Sequence, residues 1–241
     1  MHTTGLHREK LNDDGFTIID GVYSAEEIQA IVSSISEVQA NNLNFRKTAD
    51  LFAIRQFFKE LPQLFPLVFT DKLRSIVGSL LGKEYFIVKS IYFDKPANSN
   101  WFVAYHQDLT ISVTNKIDLP GYGPWTVKQG QFGVQPPVKT LEDNYTIRVH
   151  LDDTSEDNGA LKVIPTSHKK GIYRAETINW TVEREVTCNV DAGGIMIMKP
   201  LLLHASSRTV NEQNRRVIHV EFSRVKLPEG IGWAEKINLK A

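Results

Sequence analysis

Beyond Gly82 the chain is cut into short apolar segments, and this rhythm restricts the folds open to it. "YFIVKSIYF", "FVAYHQDLTISV", "YTIRVHLDD", "ALKVIP", "REVTCNV", "GIMIM" and "RVIHVEF" are rich in β-branched and aromatic residues. Turn-forming "DKPANSN", "TSEDNG", "PTSHKKG" and "DAGG" separate most of them. Branched and aromatic side chains suit a pleated, half-buried surface, while Gly, Pro, Asn and Asp end strands. Many short strands in succession must bury their apolar faces sheet against sheet, or close on themselves. Upstream the texture differs. After a short strand at "FTIID", Ser24 and Glu27 form a capping-box pattern. Ile28, Ile31, Val32 and Ile35 then make one helical stripe. "TDKLRSIVGSLLG" predicts a second helix with Thr70 as N-cap and Gly82 just past its end. The expectation is a mainly β fold with flanking helices, a sandwich or jelly roll.

The 241 residues fit one well-buried core, and no repeat or Gly/Ser linker divides them, so residues 1–241 are read as one domain. The exception in texture is 114–143, a Gly/Pro-rich stretch bearing Tyr122, Trp125 and Phe132. Such a long connection inside a domain reads as a lid over a binding site. Lys+Arg and Asp+Glu balance at 28 each, which removes any global attraction to nucleic acid or anionic membrane. The single cysteine, Cys188, excludes an intrachain disulfide and a thiolate metal cluster. "MHTTGLHREKLNDDGF" lacks the apolar core of a signal peptide, so a cytoplasmic protein is expected, with His2 and His7 in a mobile N-terminus.

Within "AYHQDLTISV", His106 and Asp108 stand two apart. On a strand both would point to one face, about 7 Å apart along the chain. A half-buried carboxylate needs a hydrogen bond, a partner charge or a metal. His204 follows an apolar strand and precedes small residues in "IMKPLLLHASSRTV". His-x-Asp with one distant His matches the facial triad of non-haem Fe(II), although a His–Asp hydrogen bond bracing a sheet has the same spacing. His150, His168 and His219 read as structural. Arg215 and Arg216 open the next strand, where one guanidinium would suit a dicarboxylic cosubstrate and the other would face outwards. With Fe(II), one aspartate and a doubly charged 2-oxoglutarate, one arginine brings the site to neutrality.

Four stretches together resemble the phytanoyl-CoA dioxygenase family of Fe(II)- and 2-oxoglutarate-dependent oxygenases. They are "DGFTIIDGVYSAEEI", "HQD" at 106–108, "LDDTSEDNGALKVIPTSHKKG" at 151–171, and "HASSRTVNEQNRRVIH" at 204–219. The resemblance implies a double-stranded β-helix of cupin-like type, with iron held by His106, Asp108 and His204. It further implies Arg215 on the distal carboxylate of 2-oxoglutarate, Ser206 as its helper and Gln107 near the cosubstrate. A regular strand would turn Gln107 away from His106. Thr166 stands where the family usually has glycine. The implied reaction uses O2 and hydroxylates a small-molecule metabolite with release of succinate and CO2. Two other readings stay open: a cupin-type isomerase or hydrolase with another metal, and a catalytically silent ligand-binding module. Arg55, in "LFAIRQFF", is a candidate for meeting a substrate carboxylate, against a helix-face arginine reaching to water.

Overall fold

The computed structural model describes residues 2–38 and 42–239. In chain order its strands begin with β1 (Phe16–Ile19), β2 (Phe45–Lys47), β3 (Phe52–Arg55), β4 (Phe86–Lys95) and β5 (Val103–His106). There follow β6 (Ile111–Val113), β7 (Trp125–Lys128), β8 (Gln131–Val134), β9 (Tyr145–His150) and β10 (Leu161–Val163). The last are β11 (Val186–Cys188), β12 (Ile195–Met198), β13 (His204–Ser206), β14 (Arg215–Ser223) and β15 (Ile237–Asn238). A large antiparallel sheet runs β1-β12-β9-β14-β4-β3-β2, with β15 also on β4. A smaller sheet runs β11-β10-β13-β5, and a third β6-β8-β7. This is the jelly roll the short apolar segments predict.

Strand alternation decides what each face of the large sheet carries. On β14, Ile218, Val220 and Phe222 join a core with Ile31, Leu73 and Val77 of the helices Ala25–Ser36 and Asp71–Leu80. The intervening Arg215, His219 and Glu221 face a cavity between the two main sheets. On β4 the phase is corrected by a bulge: Glu221 pairs with Lys89 but Phe222 with Ile87, leaving Val88 as the extra residue. Ile87 and Tyr92 therefore face the helices, while Lys89, Ile91 and Phe93 line the cavity. Leu161, Cys188, Met196 and Leu202 fill another part of the fold with an apolar cluster. Charged residues thus occupy a space that apolar side chains fill elsewhere.

The helix Ala25–Ser36 has the expected capping box, with Glu27 N–H on Ser24 Oγ at 3.2 Å and Ser24 N–H on Glu27 Oε2 at 2.8 Å. Such a cap contributes about 1 kcal/mol. Two expectations need correction. The N-terminal segment is the helix His2–Asp13, tied down where His7 Nδ1 meets Thr17 Oγ1 at 2.8 Å. Residues 114–143 hold the β7–β8 hairpin and the helix Val138–Glu142, so this stretch is an ordered flap. Its hairpin turns at Gln129 and Gly130, both with positive φ (51° and 78°), the backbone of a type I′ turn. Among the described residues no helix is long and apolar enough to cross a membrane.

Candidate metal centre

Antiparallel pairing of β13 with β5 sets His204 directly opposite His106, their ring centroids 4.2 Å apart. Asp108 reaches them by a route that strand alternation does not predict. β5 ends at His106, and a tight turn follows in which Leu109 N–H bonds to Gln107 C=O at 3.0 Å. Asp108 N–H is captured by Pro200 C=O at 2.9 Å, which pins the turn beside the approach to His204. The carboxylate then lies 3.8 Å from both imidazoles, Oδ1 from His106 Nε2 and Oδ2 from His204 Nε2. Ligand atoms of these three residues all fall within 4.8 Å of one another.

The histidine tautomers are set by the main chain. His106 Nδ1–H donates to Ala104 C=O and His204 Nδ1–H to Leu202 C=O, each at 2.9 Å. Each Nε2 keeps a free lone pair, the arrangement typical of metal-ligating histidine. Asp108 Oδ2 is buried and has no hydrogen-bond partner among the described residues. Burial alone would raise the Asp108 carboxyl, but His204, His219, Lys89 and His106 outweigh it and hold the group down at about 2. Burial lowers His204 to about 4, so at neutral pH its uncharged imidazole stands beside the Asp108 carboxylate. An orphaned anionic oxygen beside two free imidazole nitrogens fits a divalent transition metal, and iron(II) suits that donor set. The His106 side chain is 40% exposed and that of His204 only 7%, which puts the open side of the centre at His106.

Arg215 occupies the same cavity of about 310 Å³. It is 2% exposed, its Nε and Nη1 have no partner among the described residues, and burial followed by Arg148 lowers its guanidinium to about 9. A desolvated cation with spare donors is built to receive an anion. Arg216 faces the other way and grips Asp152 through Nε–Oδ2 at 2.9 Å and Nη2–Oδ1 at 2.5 Å. Ser206 lines the cavity, with its hydroxyl donating to Gly159 C=O at 2.9 Å. Gly159 (φ 85°) must be small there, because a Cβ would come within 2.6 Å of Lys95 Nζ and 2.7 Å of Ser207 C=O. Buried Asn158 closes the turn before it, accepting from Ser155 N–H and donating to Asp153 C=O, both at 2.8 Å. Gln107 does not enter the cavity. Its amide donates to Gly171 C=O (2.8 Å) and Leu201 C=O (2.6 Å) and accepts from Tyr173 N–H (2.8 Å), making it a clamp on the 171–173 loop.

Four further residues line the wall: Lys89, Arg148 and Glu221, which the sequence does not single out, and His219, which reads there as structural. Arg148 Nη1 donates to His219 Nδ1 at 3.2 Å, so His219 carries its proton on Nε2 and donates it to Glu221 Oε1 at 3.2 Å. Lys89 completes the chain on Glu221 at 2.8 Å. Although Asp108, His219 and Glu221 also bring ligand atoms together, this tautomer leaves His219 no lone pair for a metal. The flap residues Tyr122, Trp125 and Phe132, expected on the wall, all pack against an apolar cluster around Ile111 and Trp233, and Phe132 also lines an adjoining cavity. Arg55 ends strand β3, not a helix, and lines that adjoining cavity. His150 and His168 are structural, bonded to Thr154 Oγ1 (2.7 Å) and Asn12 C=O (3.2 Å).

The family model described as phytanoyl-CoA dioxygenase (PhyH) matches residues 11–217. The chain belongs to the phytanoyl-CoA dioxygenase family. Among curated relatives, a probable alpha-ketoglutarate-dependent hypophosphite dioxygenase of Stutzerimonas stutzeri is 24% identical over 176 residues, 67% of this chain and 52% of its own. An ectoine dioxygenase of Bordetella bronchiseptica is 24% identical over 167 residues, 66% of this chain and 47% of its own. The chain thus spans about half the length of the curated relatives it matches. Among solved structures, the epimerase SnoN in complex with Fe3+, alpha ketoglutarate and nogalamycin RO superposes with a TM-score of 0.69 at 12% identity, covering 98% of this chain and 94% of that one. EctD from S. alaskensis gives 0.68 at 17% identity, covering 90% and 75%. These likenesses establish the family's fold around the centre.

Proposed function

We propose that the protein is an Fe(II)- and 2-oxoglutarate-dependent dioxygenase that hydroxylates a small-molecule metabolite. The observation that carries this reading is the pairing of two features in one cavity. Its wall carries both the ligand atoms of His106, Asp108 and His204 and the orphaned guanidinium of Arg215. Iron and 2-oxoglutarate together would supply the activation of O2 for C–H oxidation, with succinate and CO2 as coproducts. The protein's own part is geometry and charge. Main-chain carbonyls orient both imidazoles, and the turn at Asp108 delivers the one anionic ligand. Arg215 would hold the far carboxylate of the cosubstrate, with Ser206 beside it, while Phe93, Trp101 and Leu161 keep the wall between them apolar. Neither a cupin-type isomerase nor a silent binding module needs a buried, unpaired arginine in the same cavity as the metal ligands.

The test is substrate-stimulated succinate release across a metabolite library with Fe(II), 2-oxoglutarate and O2, followed by product mass. A gain of one oxygen in a compound that stimulates release is the expected result. Release that no compound stimulates, or conversion without 2-oxoglutarate, would contradict the reading.

A further inference from the structure

A second cavity, of about 240 Å³, adjoins the metal cavity, and the two share Lys89, Ile91 and Lys128. It lies between β3, β4 and the β7–β8 flap, and most of its described wall residues carry a polar or charged group, with Ile91 and Phe132 the large apolar ones. Its cations are more informative. Lys89 is committed to Glu221 at 2.8 Å. Arg55 and Lys128 have no carboxylate within salt-bridge distance among the described residues. The carboxylate on the wall, Glu235, has both oxygens taken by Ser90, from its N–H at 2.9 Å and from its hydroxyl at 2.5 Å. Arg55 is aimed across the cavity by its bond to Gln129 at the flap tip, and Gln56 Nε2 meets Gln131 Oε1 at 2.8 Å alongside. A half-buried guanidinium without a counter-ion is costly unless something anionic completes it.

Charge in the metal cavity points the same way. Lys89, Arg148 and Arg215 outnumber Asp108 and Glu221 there, and a divalent metal with a doubly charged cosubstrate leaves that excess unchanged. In the second cavity Arg55 and Lys128 outnumber Glu235, so the joined cavities keep a positive surplus that the resident groups do not neutralise. We propose that the second cavity is an anion pocket for the substrate: a small hydrophilic metabolite whose oxyanion group is held by Arg55 and Lys128, with its reacting carbon directed through the shared opening towards His106 and Asp108. This assignment rests on the dioxygenase reading and narrows its substrate class. The hydroxyl and amide groups of Thr110, Ser112, Thr126 and the glutamines offer such a metabolite further hydrogen-bond partners. Carboxylates, phosphonates and sulfonates share the required chemistry.

The test uses protein loaded with Mn(II), which is inert to O2 here, and saturating 2-oxoglutarate, so that Arg215 is already engaged. Thermal stabilisation is then measured for panels of short hydroxy acids, amino acids, alkylphosphonates and alkylsulfonates, each beside its neutral amide or ester. At least one acid series should raise the melting temperature at millimolar concentration while its neutral partners do not. Arg55→Gln and Lys128→Gln should each weaken that acid by about tenfold or more, and Arg55→Lys by less. The idea is overturned if no acid stabilises, if neutral partners bind as well, or if Arg55→Gln protein that still takes up Mn(II) and 2-oxoglutarate binds the acid unchanged. Loss of the initial Mn(II) and 2-oxoglutarate shift itself would count against the dioxygenase reading instead, so the two failures are distinguishable.

Discussion

Neighbouring residues of one strand can have opposite fates, and Arg215 and Arg216 show how. Arg216 is held by half-buried Asp152 through two charge-assisted hydrogen bonds, so its charge is matched within the protein. Arg215 is stripped of water and given no partner by the protein. A comparable economy of space governs Thr166, whose φ of 68° is a left-handed conformation that costs a β-branched residue about 1–2 kcal/mol. Its side chain is exposed. Thr166→Gly should therefore raise stability by up to about 1 kcal/mol, after the glycine's greater unfolded-state entropy is deducted, as read from the urea midpoint. A lower midpoint would show that the threonine side chain supports the turn. His150 gives a second handle. It is buried, with Nε2 unpartnered, and burial first, then Arg148 and Arg215, hold its pKa well below the ordinary 6.5. The unfolded chain therefore takes up a proton that the folded one refuses. Stability from this group is complete above pH 6.5 and falls as pH drops below it, by at most about 1.4 kcal/mol per pH unit. His150→Gln, which keeps a partner for Thr154, should flatten the decline in the urea midpoint between about pH 7 and pH 5. An unchanged slope would mean that His150 is not the group being titrated.

At the scale of elements, the contrast is between β14 and the flap. β14 is buried along eight of its nine residues, whereas β7 at the flap's edge exposes three of its four. Backbone hydrogen bonds shielded by little apolar packing open locally at low cost. Amides of 125–134 should exchange with deuterium well before those of 215–223, at a rate independent of global unfolding. Equal protection of the two segments would make the flap an integral part of the core. The flap also shows why local reading fails in places. "WTVKQGQFGV" has only four residues on each side of its turn, and Gln-Gly is a weaker type I′ signal than Asn-Gly. Surrounding glycines and prolines then obscured a hairpin. The helix Ala25–Ser36 was legible because its cap, stripe and length all agree.

For the whole molecule, the architecture was readable because jelly rolls need many short strands with turns between them, and the chain shows little else after Gly82. The three ligand residues were also visible, but the geometry that unites them was not. His106 and Asp108 converge through a turn held by Pro200, a contact that spans 92 residues and leaves no local trace. Lys89, Arg148, His219 and Glu221 come from three strands whose neighbourhood only the sheet order creates. Their signal was a charged or imidazole side chain at one phase of an otherwise apolar strand, which reads equally well as a solvent face. We propose that one cavity holds a metal at His106, Asp108 and His204 and a dicarboxylate at Arg215. Anaerobic titration of 2-oxoglutarate into the Fe(II)-loaded protein, followed by the visible charge-transfer band of the chelate, measures both ends at once. The band should appear in the unaltered protein and in Arg216→Gln, require about tenfold or more 2-oxoglutarate in Arg215→Gln, and vanish in His204→Ala. A band that survives His204→Ala, or that weakens in Arg216→Gln and not in Arg215→Gln, would contradict the account.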